Sequence, residues 1–159
     1  MTIYYQLHDS PTGELLLLSN GDALTALHMI AGKYVPAMHD DWVHDERPVL
    51  TQTKRELDAY FLGKLRAFTP PLAPQGTDFQ KRAWIALTRI PYGETRSYGQ
   101  QAQIVGQPSA VRAIGAANGK NPIGIIVPCH RVIGANGSLT GYAGGLHNKA
   151  FLLKLEGIV

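Results

Sequence analysis

One cysteine stands in this chain, in the segment Pro128-Cys129-His130-Arg131. A thiol beside an imidazole and a guanidinium is a residue set suited to nucleophilic chemistry. A free thiol is only a few per cent ionised near neutral pH, so it needs a base or positive surroundings to react. Pro128 removes a backbone donor next to the thiol, and Val127, preceding a proline, is held extended. These features suit a fixed turn that presents one side chain. Taken alone, the residues leave two readings open: a nucleophile, or the small buried hydrophobe that most lone cysteines are. In an extended segment neighbouring side chains point to opposite sides. Adjacency therefore does not by itself join thiol to imidazole; a local turn or a water must do so.

A second chemical feature lies upstream. Ala110, Val111, Ala113, Gly115, Ala116, Ala117 and Gly119 form a slim stretch in which Arg112 is the one large side chain. The DNA minor groove is about 6 Å wide, so a helix settles against it only with small side chains facing the duplex. The same residues would let a helix pack tightly on its own core. Both readings hold if different faces of the helix are small.

Charge is divided along the chain. Residues 1–75 hold six Lys/Arg against nine acids, whereas residues 76–159 hold nine against three, within an overall formal charge of +3. A basic C-terminal half on an acidic N-terminal half points to a polyanion met by one half only. With 159 residues, 45% hydrophobic and 17% charged, the chain can build a core and is not of disordered composition. The run Leu15 to Leu18 is far short of the ~20 residues that span a bilayer. No basic and apolar N-terminal segment reads as a secretory signal. A single cysteine allows no internal disulfide framework and no Cys-rich zinc site. Membrane, secreted and zinc-finger classes are excluded, and a reduced thiol predicts a cytoplasmic location.

These side chains need a scaffold. Apolar stretches Ile3 to Leu7, Glu14 to Ser19 and Leu24 to Met29, separated by turn residues, predict an antiparallel three-stranded meander. A helix is expected from Pro48 to Leu62, with Leu50, Leu57 and Phe61 on its inner stripe. Three prolines between Phe68 and Gly76 predict a stiff linker. Beyond it, Thr77 caps a helix through Arg89, Ser97 a short helix to Val105, and Ser109 a further helix to Asn118. The last two, joined through Gly106-Gln107-Pro108, have the pattern of a helix-turn-helix. Ile123 to Val127 is expected to be extended, and a final helix runs from His147 to Leu155. The fold class is α+β. An N-terminal antiparallel β-sheet plus helix lobe (1–67) is followed by the Pro-rich linker (68–76). A C-terminal, mainly helical lobe (77–159) carries a winged-helix-like helix-turn-helix. His39, Asp41 and His44 lie among Asp40, Asp45 and Glu46 and read as a solvated acidic loop rather than a metal site.

The segment Ile126-Val127-Pro128-Cys129-His130-Arg131-Val132-Ile133-Gly134 resembles the active-site signature of the O6-alkylguanine-DNA alkyltransferases. The resemblance extends from Thr77 to Gly157. It takes in Ser97-Tyr98, Arg112-Ala113-Ile114-Gly115, Asn121-Pro122, Gly141-Tyr142-Ala143-Gly144-Gly145 and Leu155-Glu156-Gly157. The N-terminal half resembles the family only in length and outline.

The resemblance implies direct-reversal repair. An alkyl group leaves the O6 atom of guanine in duplex DNA, and by extension O4 of thymine, for Cys129, and the protein is consumed. It implies His130 as base through a water, Glu156 orienting the imidazole, and Asn121 bracing the turn. It places Tyr98 beside the lesion, crowding the 3′ phosphate and donating a proton to the departing oxygen. Arg112 would enter the base stack, with Ala110, Val111, Ala113 and Gly115 against the DNA. Tyr142, Ala143, Gly144 and Val132 would line the pocket. A thiolate is a soft, strong nucleophile suited to displacement at carbon, and a donor removes charge from the leaving guanine. The reacting carbon lies inside the duplex, so the nucleotide must flip out. No metal and no organic cofactor are expected, and the partner is duplex DNA containing O6-alkylguanine, met by a monomer with no obligatory protein partner. Ala143 stands where many relatives carry a hydroxyl. Alternatives are a non-catalytic alkylated-DNA-binding protein, which would lack the cysteine, a helix-turn-helix regulator, which would leave the Pro-Cys-His-Arg segment without a purpose, and a thiol hydrolase, which would turn over.

Overall fold

The structure, a computed structural model, describes residues 1–158. Strand β2 (Leu15–Ser19) is buried along its whole length, because both faces of the sheet around it are covered. It pairs antiparallel with β1 (Tyr4–His8) and β3 (Leu24–Met29), setting Leu17 opposite Gln6 and Leu27. Successive side chains alternate between the faces. Leu15, Leu17 and Leu27 enter the main core, while Leu16, Leu18 and Ala26 pack on Ile3, Tyr5, Val35 and Trp42. A fourth strand, β4 (Val43–His44), pairs parallel with β1. It falls in the segment expected to be only a loop.

Helix α1 (Pro48–Phe61) opens on its proline, whose missing donor costs nothing in a first turn. It buries Val49, Leu50, Thr53, Leu57 and Tyr60. Tyr60, rather than the expected Phe61, is the aromatic residue fully inside. The proline-rich linker is extended and stitched to the sheet: the Leu24 amide donates to Pro71 O at 2.8 Å and the Ala73 amide to Leu24 O at 2.9 Å.

Helices α2 (Asp78–Thr88) and α3 (Tyr98–Val105) each begin with a capping box, Thr77 with Gln80 and Ser97 with Gln100. Gly106 closes α3 at φ 89°, a left-handed turn that suits glycine. Helix α4 (Val111–Gly119) departs from expectation at its start. Ala110 is the capping residue, without a side-chain bond, and Ser109 does not cap it. Ala83, Ala102, Ile114 and Ala117 pack the three helices together. Gln101 and Asn118 satisfy each other between them, at 2.9 and 2.8 Å. Strands β5 (Arg96–Ser97) and β6 (Val132–Ile133) form a small parallel pair, and α5 (Leu146–Leu155) is the last element among the described residues.

The expected extended run from Ile123 to Val127 is instead a tight turn. Only Ile123 bridges to the sheet, at Leu27. The cause is Asn121, whose carboxamide accepts the Ile123 amide at 3.0 Å and donates to Val127 O at 2.7 Å. Ile125 takes a positive φ of 70° within the turn. One core joins both lobes, with Leu57 and Tyr60 against Trp84, Leu87, Val132 and Leu152.

Candidate active site

Cys129, His130 and Arg131 form one turn of 3-10 helix between that Asn121-braced turn and β6. This is a turn, as the flanking Val127-Pro128 pair suggests, and it sets where the neighbouring side chains point. Cys129 is partly exposed, while His130 and Arg131 point inward and are buried. Burial pushes the Cys129 thiol up in pKa; the Asn121 amide and the Lys149 charge act the other way. Among the described residues no hydrogen bond joins the thiol directly to the imidazole.

His130 Nε2 lies 2.7 Å from Glu156 Oε2. Burial lowers the imidazole pKa, the Glu156 bond only partly opposing it, so the ring is neutral near pH 7. An ionised carboxylate only accepts, so Nε2 carries the hydrogen and Nδ1 keeps its lone pair. Nδ1 is buried and has no protein partner among the described residues. That is the tautomer of a base.

Glu156 collects donors from several elements. Burial alone would raise its pKa. Bonds from His130, Arg131 and Tyr60 more than offset this and hold it at about 2. Arg131 Nε donates to Oε1 at 2.7 Å and Nη2 to Oε2 at 3.1 Å, while Nη1 donates to Ile90 O at 2.7 Å. Lys149 is fully buried on α5 and donates to Val132 O and Thr140 O at 2.6 and 2.7 Å. It ties the 134–145 loop to β6, directly after the cysteine turn. Burial lowers its pKa to about 8, against the pull of the nearby thiol.

A cavity of about 460 Å³ opens beside Cys129, lined by Tyr98, Val111, Gly115, Thr140, Tyr142 and Ala143 among others. Gly144 faces a second hollow that meets the first at Cys129; a Cβ there would collide with Met29 Sδ and the Tyr142 ring. Tyr98 accepts a hydrogen bond from Thr140 Oγ1 at 2.9 Å, which leaves its own hydroxyl hydrogen free. Val132, expected in the pocket wall, lies fully buried in the core instead. On α4, Val111, Arg112, Ala113 and Ala116 are exposed, with Gly115 half-buried, while Ile114 and Ala117 face inward. The slim helix therefore packs on the core through one face and leaves a second face of small residues with Arg112 to solvent.

Sequence patterns single out neither Tyr60 nor Lys149, and give Arg131 no partner. Arg131 carried the best signal, since it sits beside His130 in the motif. Lys149, on the same stripe as Leu152 and Leu153, carries a fainter one.

Residues 78–158 match the family model for the 6-O-methylguanine DNA methyltransferase DNA binding domain, and residues 3–74 match its ribonuclease-like domain. The chain belongs to this family. It is 53% identical to the methylated-DNA–protein-cysteine methyltransferase of Methanosarcina acetivorans, over 98% of this chain and 99% of that one. The Mycobacterium bovis protein of the same name is 52% identical, over 97% and 92%. Crystal structures of Mycobacterium tuberculosis O6-methylguanine methyltransferase (51% identical, TM-score 0.88, covering 97% and 92%) and of Mycobacterium tuberculosis OGT in complex with DNA (49%, 0.87, 98% and 92%) share the α+β fold. The family's reaction is direct-reversal repair, in which an alkyl group on DNA passes to a protein cysteine, and Cys129 is the one cysteine of this methyltransferase. Among the described residues no group of three or more His, Cys, Asp or Glu could hold a metal ion, and no helix is long and apolar enough to cross a membrane.

Proposed function

We propose that Cys129 takes the alkyl group from O6-alkylguanine in duplex DNA, once per chain, after the nucleotide has flipped into the cavity beside it. The observation that carries this is the placement of the chain's sole thiol. It opens on a cavity bordered by the slim face of α4 and is backed by a neutral imidazole bonded to a carboxylate. Sγ attacks the alkyl carbon as the carbon–O6 bond breaks. The thiol proton passes through a water to His130 Nδ1. The oxygen leaves with the electron pair and is neutralised by the Tyr98 hydroxyl, which the imidazolium proton restores through solvent. Asn121 braces the turn, and Tyr142, Ala143 and Gly144 shape the pocket. Residues 77–159 serve as the DNA-binding and acceptor unit on the scaffold of residues 1–67. We place the protein in the cytoplasm as a monomer, supported by its single reduced thiol.

Mixed with duplex DNA carrying O6-methylguanine, the protein gains the mass of one methylene, on Cys129 and once per chain. Intact-mass analysis checks this, and continued turnover at fixed protein would point to a thiol hydrolase instead. Binding to DNA is sequence-tolerant and weakens steeply with salt, because phosphate contacts carry it.

Arg112, exposed on α4, fills the stack left by the flipped nucleotide. Replacing a lost stacking partner is worth about 1–2 kcal/mol. Arg112→Ala is therefore expected to slow transfer from duplex DNA roughly tenfold and transfer from the free alkylated base hardly at all. Single-turnover rates on the two substrates decide it, and equal losses would remove Arg112 from this role.

A further inference from the structure

We propose that Tyr60 is a positioning residue for alkyl transfer, supplied by the N-terminal lobe and acting on His130 through Glu156. The proposal rests on the reading of His130 as base. Tyr60 is fully buried near the end of α1, and its hydroxyl donates to Glu156 Oε2 at 2.5 Å, across 96 residues of chain. That oxygen also accepts His130 Nε2–H. The Tyr60 ring is fixed by Phe61 and Phe68, both with centroids 5.3 Å away, and by Tyr92 at 6.3 Å. The ring packing thereby holds the hydroxyl oxygen against Glu156.

Three donors share Glu156 Oε2, Tyr60 and His130 closely and Arg131 Nη2 at 3.1 Å, and they compete for the same electron density. The Tyr60 bond disperses charge that would otherwise stabilise an imidazolium, and so helps keep His130 neutral while its Nε2–H stays anchored. The other ionisable groups facing this pair are Arg131 from the 3-10 turn, Tyr142 from the loop before α5, and Lys149 from α5. Burial, and then the Glu156 charge, push the Tyr60 phenol far above the working pH range, so it is always a donor.

Tyr60→Phe removes the donor and keeps the ring. The transfer rate of the full chain on O6-methylguanine duplex, followed from about pH 5 to about pH 9, is expected to keep its plateau within about threefold. Its rising limb moves upward by roughly half to one pH unit. A His130 ring titration followed by NMR is expected to move the same way. Superimposable normalised profiles, or a uniform loss at every pH, would mean that Tyr60 only packs, and would overturn the proposal. Should the phenylalanine variant not fold, 3-fluorotyrosine at position 60 keeps the hydroxyl and makes it a stronger donor. The His130 midpoint is then expected to fall, and an unchanged midpoint overturns the proposal. A wild-type protein that fails to alkylate Cys129 would overturn the functional reading, whereas the His130 titration tests the Tyr60–Glu156 coupling independently of activity.

Discussion

Cys129→Ala is expected to abolish alkyl transfer while leaving affinity for duplex DNA within about twofold. The loss should be complete because no second thiol exists in the chain, and because the nearest hydroxyls are far weaker nucleophiles at neutral pH. Binding should survive for a separate reason. Non-specific affinity comes from phosphate contacts, and Cys129 sits within a cavity rather than on the exposed face of α4. The fold should survive too. The cysteine is partly exposed and its backbone is held by the amide bond to Val127 O at 2.8 Å, which alanine keeps. A shift in stability within about 1 kcal/mol follows. Intact mass after incubation with alkylated duplex, a binding isotherm on the same duplex and a thermal melt check the three parts. A variant that loses binding along with transfer would mean that the cysteine holds structure.

The parts of this protein that were legible in the sequence are those fixed by near neighbours. Thr77 and Ser97 announce helix starts because each cap bonds an amide within three residues of itself. The three leucine-bearing strands were visible because turn residues separate them. Features made by distant contacts were not. β4 is two residues long and exists through its pairing with β1, nearly forty residues away. Ile123 to Val127 has the composition of a strand, yet the Asn121 side chain outcompetes extension by bonding at both ends. The relay shows the same division. Cys129 and His130 were visible through spacing and family resemblance, and Glu156 through the resemblance alone. The Tyr60 and Arg131 bonds to that carboxylate are tertiary, and Lys149 is matched to carbonyls that no sequence pattern marks.

Glu156→Gln is expected to cost stability as well as chemistry, and the pH dependence separates the two. The Glu156 carboxyl lies at about 2 in the folded protein and at about 4.3 when unfolded. The folded state therefore binds this proton less readily. The stability it contributes is fully present above pH ~4.3 and is lost as pH falls toward ~2, a difference on the order of 3 kcal/mol at 1.36 kcal/mol per unit. His130 adds a loss of the same sign at higher pH. Burial lowers its pKa below the unfolded value near 6.5, so its contribution fades as pH drops beneath that value. A wild-type plot of melting temperature against pH is thus expected to fall toward acid in two stages. In Glu156→Gln the stage below pH ~4.3 shrinks by the Glu156 contribution, leaving the smaller part due to Glu46 and Glu56, whose carboxyls are also held low. At neutral pH the variant melts lower by several degrees, because the Arg131 guanidinium stays buried and loses its counter-charge. Transfer at neutral pH also drops, since an amide stabilises imidazolium far less than a carboxylate does. An acid limb identical in the two proteins would place the Glu156 titration elsewhere, and with it the electrostatic support proposed for the base.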